Sequence, residues 1–378
     1  MKFIAKTLYG LEEVLAAELR ELGVSGVKPV NRAVSFPGSR ETMYRVNYCA
    51  RTALSVLLHI SGFRIRSKED LYRKASEIAW SDIMDADGTF SVVSVVNSKI
   101  FEHTGYPGLV VKDAIVDYFR KRTGRRPSVN TDNPGVIVNL HISNDNADIS
   151  LDSSGAPLFK RGYRTTPAAA PLNEVLAAGI IMLSGWNVSA SLTDPMCGSG
   201  TLPIEAGLIA CRIPPGKFRN SFGFTRWNDF DEKVFARIKK EADNLICESP
   251  VRISASDISE QAVRQTIINA GNAGLSETIT VEVSDFKDVK PIDDKGYLFM
   301  NPPYGQRLKT EEPDMLYSMI GSTLKHNFPG HRAWIITSGK EYLDKIGLKP
   351  KSKHTLYNGP LRCILAEYEM YQGTRKRQ

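Results

Sequence analysis

The order of apolar and polar positions divides the chain into an irregular first part and a regular second part. Residues 2–6 read as a strand. Leu11, Val14, Leu15, Leu19 and Leu22 share one face of a helix over 7–22, and Gly23 suits the position just past its end. Residues 27–36 alternate in part and stop at Pro37-Gly38, which predicts a second strand or a hairpin. Helices are expected over 40–59 and 70–79, and a strand over 89–96. An amphipathic helix follows over 110–121, with Val111, Ile115, Tyr118 and Phe119 near one side. Strands at 136–142 and 147–151 flank the Asn144-Asp145-Asn146 turn as a hairpin.

A helix over 172–184, started by Pro171 with Asn173 and Glu174 in its first turn, opens the second part. From residue 190 strands and helices alternate, the pattern of an open α/β sheet. Strands are expected at 190–193, 251–255, 279–283, 297–300 and 333–337, and helices at 202–211, 229–247, 260–273 and 313–327. The late runs 354–357 and 363–371 can pair as an antiparallel hairpin at the sheet edge.

Two stretches of this second part carry chemistry. In Asp194-Pro195-Met196-Cys197-Gly198-Ser199-Gly200-Thr201 a strand ends, the chain turns on two glycines and a helix begins. Glycines let the backbone approach a ligand where a Cβ would block it, and the helix start offers unpaired N–H groups to a negative group. A Rossmann-like sheet holds a nucleotide-like cofactor this way. The full G-x-G-x-x-G is not present, so by itself this stretch also fits an ordinary strand–helix turn. The second stretch, Asn301-Pro302-Pro303-Tyr304, is delivered at the carboxyl end of the 297–300 strand. The Asn301 amide oxygen and the Pro302 carbonyl are two acceptors in fixed relation, the prolines stiffen the turn, and Tyr304 offers a flat face to a base. That combination suits an exocyclic amine on a planar ring. A plain Asn-Pro turn is the structural alternative, and the glycine turn ahead of it weighs against that.

At these residues the chain resembles a known family. The strings LTDPMCGSGTLPIEAG and NPPYGQRL are very close to the pattern of S-adenosylmethionine-dependent RNA guanine-N2 methyltransferases that carry a THUMP domain ahead of the catalytic domain. The likeness runs over nearly the whole chain. It implies an α/β fold: a Rossmann-like class I methyltransferase with a seven-stranded sheet, preceded by an α+β module. The expected domains are a ferredoxin-like part at 1–44, an RNA-binding THUMP domain at 45–155, a linker at 156–171 and the methyltransferase domain at 172–372. The resemblance implies S-adenosylmethionine as cofactor, S-adenosylhomocysteine as product, and Asp194, Pro195, Gly198, Ser199, Gly200 and Thr201 as its cradle. Asp257 and Asp285 each close a β-type run at the edge that Asp194 shares. The family roles are the ribose diol for Asp257 and the adenine amino group for Asp285, with Ile258 and Phe286 packing on the adenine ring. The linker stretch 160–164 is implied to join the domains near the cofactor, and the 172–184 helix to close one side of its pocket. The implied substrate is RNA, with large-subunit (23S) rRNA favoured over tRNA.

Composition narrows this little. The 378 residues suit two or three domains, and 42% hydrophobic with 24% charged residues is ordinary for a globular protein. No run of 18 apolar residues occurs, and the N-terminus lacks the apolar core of a signal peptide, so a cytoplasmic protein without membrane contact is expected. The five cysteines lack metal-ligand spacing, and no metal site is expected.

A net charge of +7 permits an anionic partner. Arg120, Lys121, Arg122, Arg125 and Arg126 gather at a helix C-terminus and the loop after it. They read either as an RNA-phosphate contact or as cations favoured by the helix dipole. Arg161 and Arg164 of the basic, aromatic linker are the other candidate RNA contacts. The insertion at 214–227 mixes Lys217, Arg219 and Arg226 with Phe218, Phe222, Phe224 and Trp227, fitting either a clamp on single-stranded RNA or a satellite core with a basic rim. The tail Arg375-Lys376-Arg377 reads as disordered. Three rival functions stay open: a DNA adenine-N6 methyltransferase, a non-catalytic RNA-binding assembly factor, and a small-molecule or protein-glutamine methyltransferase.

Overall fold

The computed structural model describes residues 1–165, 171–303 and 313–371. Tyr304, the end of the linker and the basic tail lie outside the described residues.

The N-terminal module runs β1 (Lys2–Lys6), α1 (Glu12–Glu21), β2 (Lys28–Val30), β3 (Ala33–Pro37), α2 (Arg40–Cys49), β4 (Ser55–Arg64), α3 (Lys68–Ser76), β5 (Thr89–Asn97), α4 (Tyr106–Thr123), β6 (Ser128–Val129), β7 (Val136–Ser143) and β8 (Asn146–Asp152). Its strands form one continuous sheet, β2-β3-β1-β4-β8-β7-β5-β6. This corrects two expectations. The helix anticipated over 40–59 stops at Cys49, and its second half is β4, antiparallel to both β1 and β8. Val56, Leu57 and Leu58 of β4 are buried, so the sheet neighbours override a run whose apolar spacing also suits a helix. The domain boundary expected at 44/45 falls inside α2. β4 joins the two α+β halves into one sheet.

The C-terminal domain runs α5 (Glu174–Leu183), β9 (Ser191–Asp194), α6 (Thr201–Ala210), α7 (Glu232–Asp243), β10 (Ile253–Asp257), α8 (Glu260–Asn272), β11 (Ile279–Val283), β12 (Gly296–Met300), α9 (Pro313–Asn327), β13 (Arg332–Thr337), α10 (Lys340–Lys345), β14 (Ser352–Asn358) and β15 (Leu361–Glu369). Among the described residues the sheet has seven strands in the order β11-β10-β9-β12-β13-β15-β14. The first five are parallel, and the expected hairpin β14/β15 pairs antiparallel at the end. Strand order reverses between β9 and β12, so a crevice opens at their carboxyl ends, where Asp194 and Asn301 emerge.

The 214–227 insertion belongs to the N-terminal core. Phe222, Phe224 and Trp227 are buried against Tyr44 and Phe235, with Phe224 4.5 Å from the Tyr44 ring centroid and 5.2 Å from Phe222. Three of the four aromatics that could have clamped RNA bases are thus structural, whereas Phe218 is half-buried against the C-terminal core, 6.5 Å from the Tyr163 ring centroid.

Candidate active site

A cavity of about 580 Å³ occupies the crevice, within the range of small-molecule sites. It is lined by Asp194, Gly198, Ser199, Thr201, Asp257, Ile258, Asp285, Phe286, Asn301 and Pro303, among others. The sequence-predicted cradle is therefore brought together. Its two glycines do different work. Gly198 has φ 55°, and a Cβ there would meet nothing within 4 Å, so the backbone faces open space. Gly200, at φ 83°, does not line the cavity. A Cβ on it would lie 2.7 Å from Thr266 Cγ2, so its role is close packing against α8.

The turn is held from α8. Thr266 Oγ1 donates to the Gly198 carbonyl at 2.9 Å and Asn269 Nδ2 to the Ser199 carbonyl at 2.9 Å. Sequence reading missed both residues. Their only signal is the three-residue spacing that puts them on one face of α8. Asp257 fixes the other side: its Oδ2 accepts from the Gly198 N–H and its Oδ1 from the Ser259 N–H, each at 2.9 Å. A carboxylate oxygen has more than one acceptor site, so Asp257 keeps capacity for a diol. Asp285 accepts from the Lys287 N–H at 3.2 Å and pairs with its ammonium at 3.1 Å. Ile258 is 71% exposed, a free apolar face over the cavity, whereas Phe286 is buried and stacks on Phe328 at 5.7 Å.

Asp194 is 1% exposed and accepts from the Met196 N–H at 3.2 Å. Burial, and then repulsion from Asp257, push its carboxyl well above the usual range. Asn301 Oδ1 is buried and has no hydrogen-bond partner among the described residues. Such an acceptor is costly unless a ligand supplies the donor. Pro302 is buried and does not itself line the cavity. The Pro303 carbonyl accepts from Tyr317 Oη at 3.4 Å, which anchors the turn to α9.

Against known families, the profile of the RMKL-like methyltransferase domain matches residues 161–367, more than half of the chain. The chain belongs to the RMKL-like methyltransferase family. Residues 66–152 match the THUMP domain and residues 2–57 the RlmL ferredoxin-like domain. The ribosomal RNA large subunit methyltransferase K/L of Psychromonas ingrahamii is 38% identical over 98% of this chain, and the chain spans about half of that relative's length (50%). Synechocystis slr0064, provisionally named an RNA methyltransferase, is 35% identical over 98% of this chain and 97% of its own. A crystal structure of SMU.472, provisionally named a methyltransferase and solved with SAH, superposes with a TM-score of 0.88 at 30% identity, covering 99% of both chains.

The linker arginines of this methyltransferase depart from expectation. Arg161 is 2% exposed, so it is not available to RNA. It donates to Glu205 on α6 (3.3 and 3.4 Å), to the Leu158 carbonyl (3.0 Å) and to the Arg51 carbonyl. Tyr163 Oη adds a bond to Glu205 at 3.2 Å, and Arg51 in turn donates to the Leu208 and Ile213 carbonyls. Arg161 therefore ties the N-terminal module to α6. Arg164 is mostly buried as well: it donates to Thr201 Oγ1 at 2.6 Å and pairs with Glu174 at 3.3 Å, linking α5 to the first residue of α6 beside the cavity. A basic stretch in sequence cannot tell a buried hub from a free cation, and here the need to compensate Glu205 and Glu174 decided it.

Arg120, Lys121, Arg122, Arg125 and Arg126 are exposed at the end of α4, which stops at Gly124 in the left-handed region, and in the loop after it. Arg120 pairs with Asp117 at 3.1 Å, Arg125 pairs with Asp87, and Arg122 lies over the Tyr118 ring at 3.7 Å. Among the described residues no helix is long and apolar enough to cross a membrane, and no side-chain group is arranged to hold a metal ion.

Proposed function

We propose that this methyltransferase transfers a methyl group from S-adenosylmethionine to the exocyclic N2 amine of a guanine in RNA, with large-subunit (23S) rRNA in the cytoplasm as its substrate. The observation that carries the reading is the buried Asn301 Oδ1, without a partner among the described residues, beside a glycine cradle with open space at Gly198. The residues fit the cofactor: Asp257 would accept from its ribose hydroxyls, Asp285 from its adenine amine, Ile258 would cover the ring, and the Gly198–Thr201 turn would meet its carboxylate. Bound there, S-adenosylmethionine supplies an electrophilic methyl group.

The protein's own part is alignment. An exocyclic amine is a poor nucleophile because its lone pair is delocalised into the ring. Asn301 Oδ1 and the Pro302 carbonyl would each accept a hydrogen bond from one of its N–H groups, both protons staying on nitrogen as the methyl is transferred. They would fix the nitrogen's direction and stabilise positive charge as it develops. Tyr304 would stack on a base taken out of its helix. The rRNA substrate is supported by the activity for which the K/L relative is named and by the THUMP match, and the five exposed cations at the α4 end suit phosphate contacts.

The test is methyl transfer from labelled S-adenosylmethionine to undermodified total RNA and, separately, to DNA, with products digested to nucleosides and identified by mass spectrometry. N2-methylguanosine from the 23S fraction is expected. Label in tRNA would move the substrate, N6-methyladenine in DNA would overturn the RNA reading, and cofactor binding without any label would favour an assembly role.

A further inference from the structure

Phe222, Phe224 and Trp227 of the insertion are buried, but its cations remain to be accounted for. Arg226 donates to the Pro134 carbonyl at 2.7 Å. Lys217 and Arg219, with Lys239 of α7, line a second cavity of about 350 Å³ between the insertion and α7, to which Asn220, Ser221 and Thr225 add neutral polar groups. The insertion leaves α6 at Cys211, and ten helical residues put that end about 15 Å from Thr201 at the cofactor turn. This cavity is separate from the candidate active site.

Its charge is unbalanced. Three cations line it against one carboxylate, Asp243. That carboxylate already accepts from Lys217 Nζ at 2.7 Å and from Tyr48 Oη at 2.9 Å. Lys239 Nζ lies 5.1 Å from the Phe235 ring centroid. Arg219 is the more telling group. Its guanidinium donates to four main-chain carbonyls, those of Ser154 (3.3 Å), Ala156 (2.7 Å), Pro157 (2.9 Å) and Lys160 (2.9 Å). None of the ion pairs among the described residues includes it, and its Nε is buried without a partner. Neutral carbonyls orient a guanidinium without neutralising it, Asp152 acts on its charge without forming an ion pair, and such a partly buried cation favours an anion beside it. Burial pulls Arg219 down to about 10, with repulsion from Arg161 in the same direction and Asp152 opposing.

We propose that this cavity anchors a backbone phosphate of the RNA substrate, at the end of α6 remote from the target nucleotide. The inference rests on the RNA reading above and adds to it a second point of grip, formed where the insertion meets the N-terminal module. Arg219 is the fixed element of the site, and Lys217 and Lys239 are its exposed cations.

The test compares full-length wild type with K217A/K239A for binding to 23S rRNA fragments across a salt series. Loss of that phosphate contact should weaken binding about tenfold at low salt and flatten the slope of log K against log salt by about 1. S-adenosylmethionine affinity and melting temperature should not change, and K217R/K239R should restore binding. Unchanged RNA affinity and slope in K217A/K239A overturn the proposal. So does binding of inorganic phosphate that depends on Lys217 and Lys239 while RNA binding does not, since the site would then serve a free anion. Wild type that binds no RNA overturns this proposal and the RNA reading together, whereas wild type that methylates RNA with the variant's equal salt slope overturns this one alone.

Discussion

Helix α6 meets two polar environments and they are built on opposite terms. At its first turn, beside the candidate site's cavity, acceptors are left wanting: among the described residues Asn301 Oδ1 has no partner and the buried Asp194 carboxyl accepts from the Met196 N–H at 3.2 Å. Along its flank, Glu205 is 0% exposed yet holds Arg161 and Tyr163, and Arg161 makes four hydrogen bonds. The first region is costly by itself and becomes favourable when a ligand arrives; the second is complete without one. Unmet acceptors therefore mark the chemistry, and saturated charges mark the architecture that aims it.

The largest effect should come from breaking the saturated side. Arg161→Met leaves Glu205 buried and unpaired, and about 3–5 kcal/mol of stability should be lost in chemical denaturation. R161M/E205M removes both charges and should regain most of that. A double variant no more stable than the single would mean that Glu205 is not the penalised group. Breaking the unmet side should look different. Asn301→Ala should leave stability and cofactor affinity near wild type while turnover falls by about 10²–10³, the usual loss for a donor or acceptor aimed at developing charge. Equal losses in cofactor binding and turnover would remove Asn301 from the role assigned to it.

The same contrast explains what could be read from sequence. The crevice of the candidate site was legible because its residues are local: a glycine turn after β9, aspartates closing β10 and β11, and Asn301-Pro302-Pro303 closing β12 each announce a strand end. The strict alternation of strand and helix fixed their common edge. What was illegible depends on distant partners. β4 reads as helix until β1 and β8 flank it, the six-residue α10 is too short to show a period, and the aromatics of 214–227 reveal their burial only beside Tyr44. Arg161 and Arg122 are alike in sequence, yet one is enclosed by Glu205 and two carbonyls and the other is exposed over Tyr118.

Between the two regions stand Thr266 and Asn269, saturated groups whose purpose is to hold the unsaturated turn. Thr266→Val keeps the packing against Gly200 and deletes the hydrogen bonds of Thr266 Oγ1 to the Gly198 carbonyl and with Cys197 Sγ, and Asn269→Ala deletes the bond to the Ser199 carbonyl. Each should lower S-adenosylmethionine affinity by about 2–10-fold, equivalent to ~0.5–1.5 kcal/mol, with little change in the turnover of saturated enzyme. Isothermal titration would check this, and unchanged affinity in both variants would show that the turn holds its shape without α8.

The smallest expected effect concerns Asp194 and depends on pH. Its folded-state pKa is raised by burial and by Asp257, so the folded state binds its proton more tightly than the unfolded chain does. The stability this confers is fully present below the ordinary aspartate pKa of about 3.9 and is lost as pH rises through the raised value. Ligand-free protein should therefore lose stability on this account between mildly acidic and neutral pH. Asp194→Asn keeps the acceptor for the Met196 N–H and has no charge to form, so its melting temperature should depend less on pH. At neutral pH it should exceed wild type by about 2–4 °C, the shift that ~1 kcal/mol produces in a domain of this size. Melting curves for both proteins from pH 5 to 8 that run parallel would mean that Asp194 ionises without penalty, and that the cavity is better solvated than its burial implies.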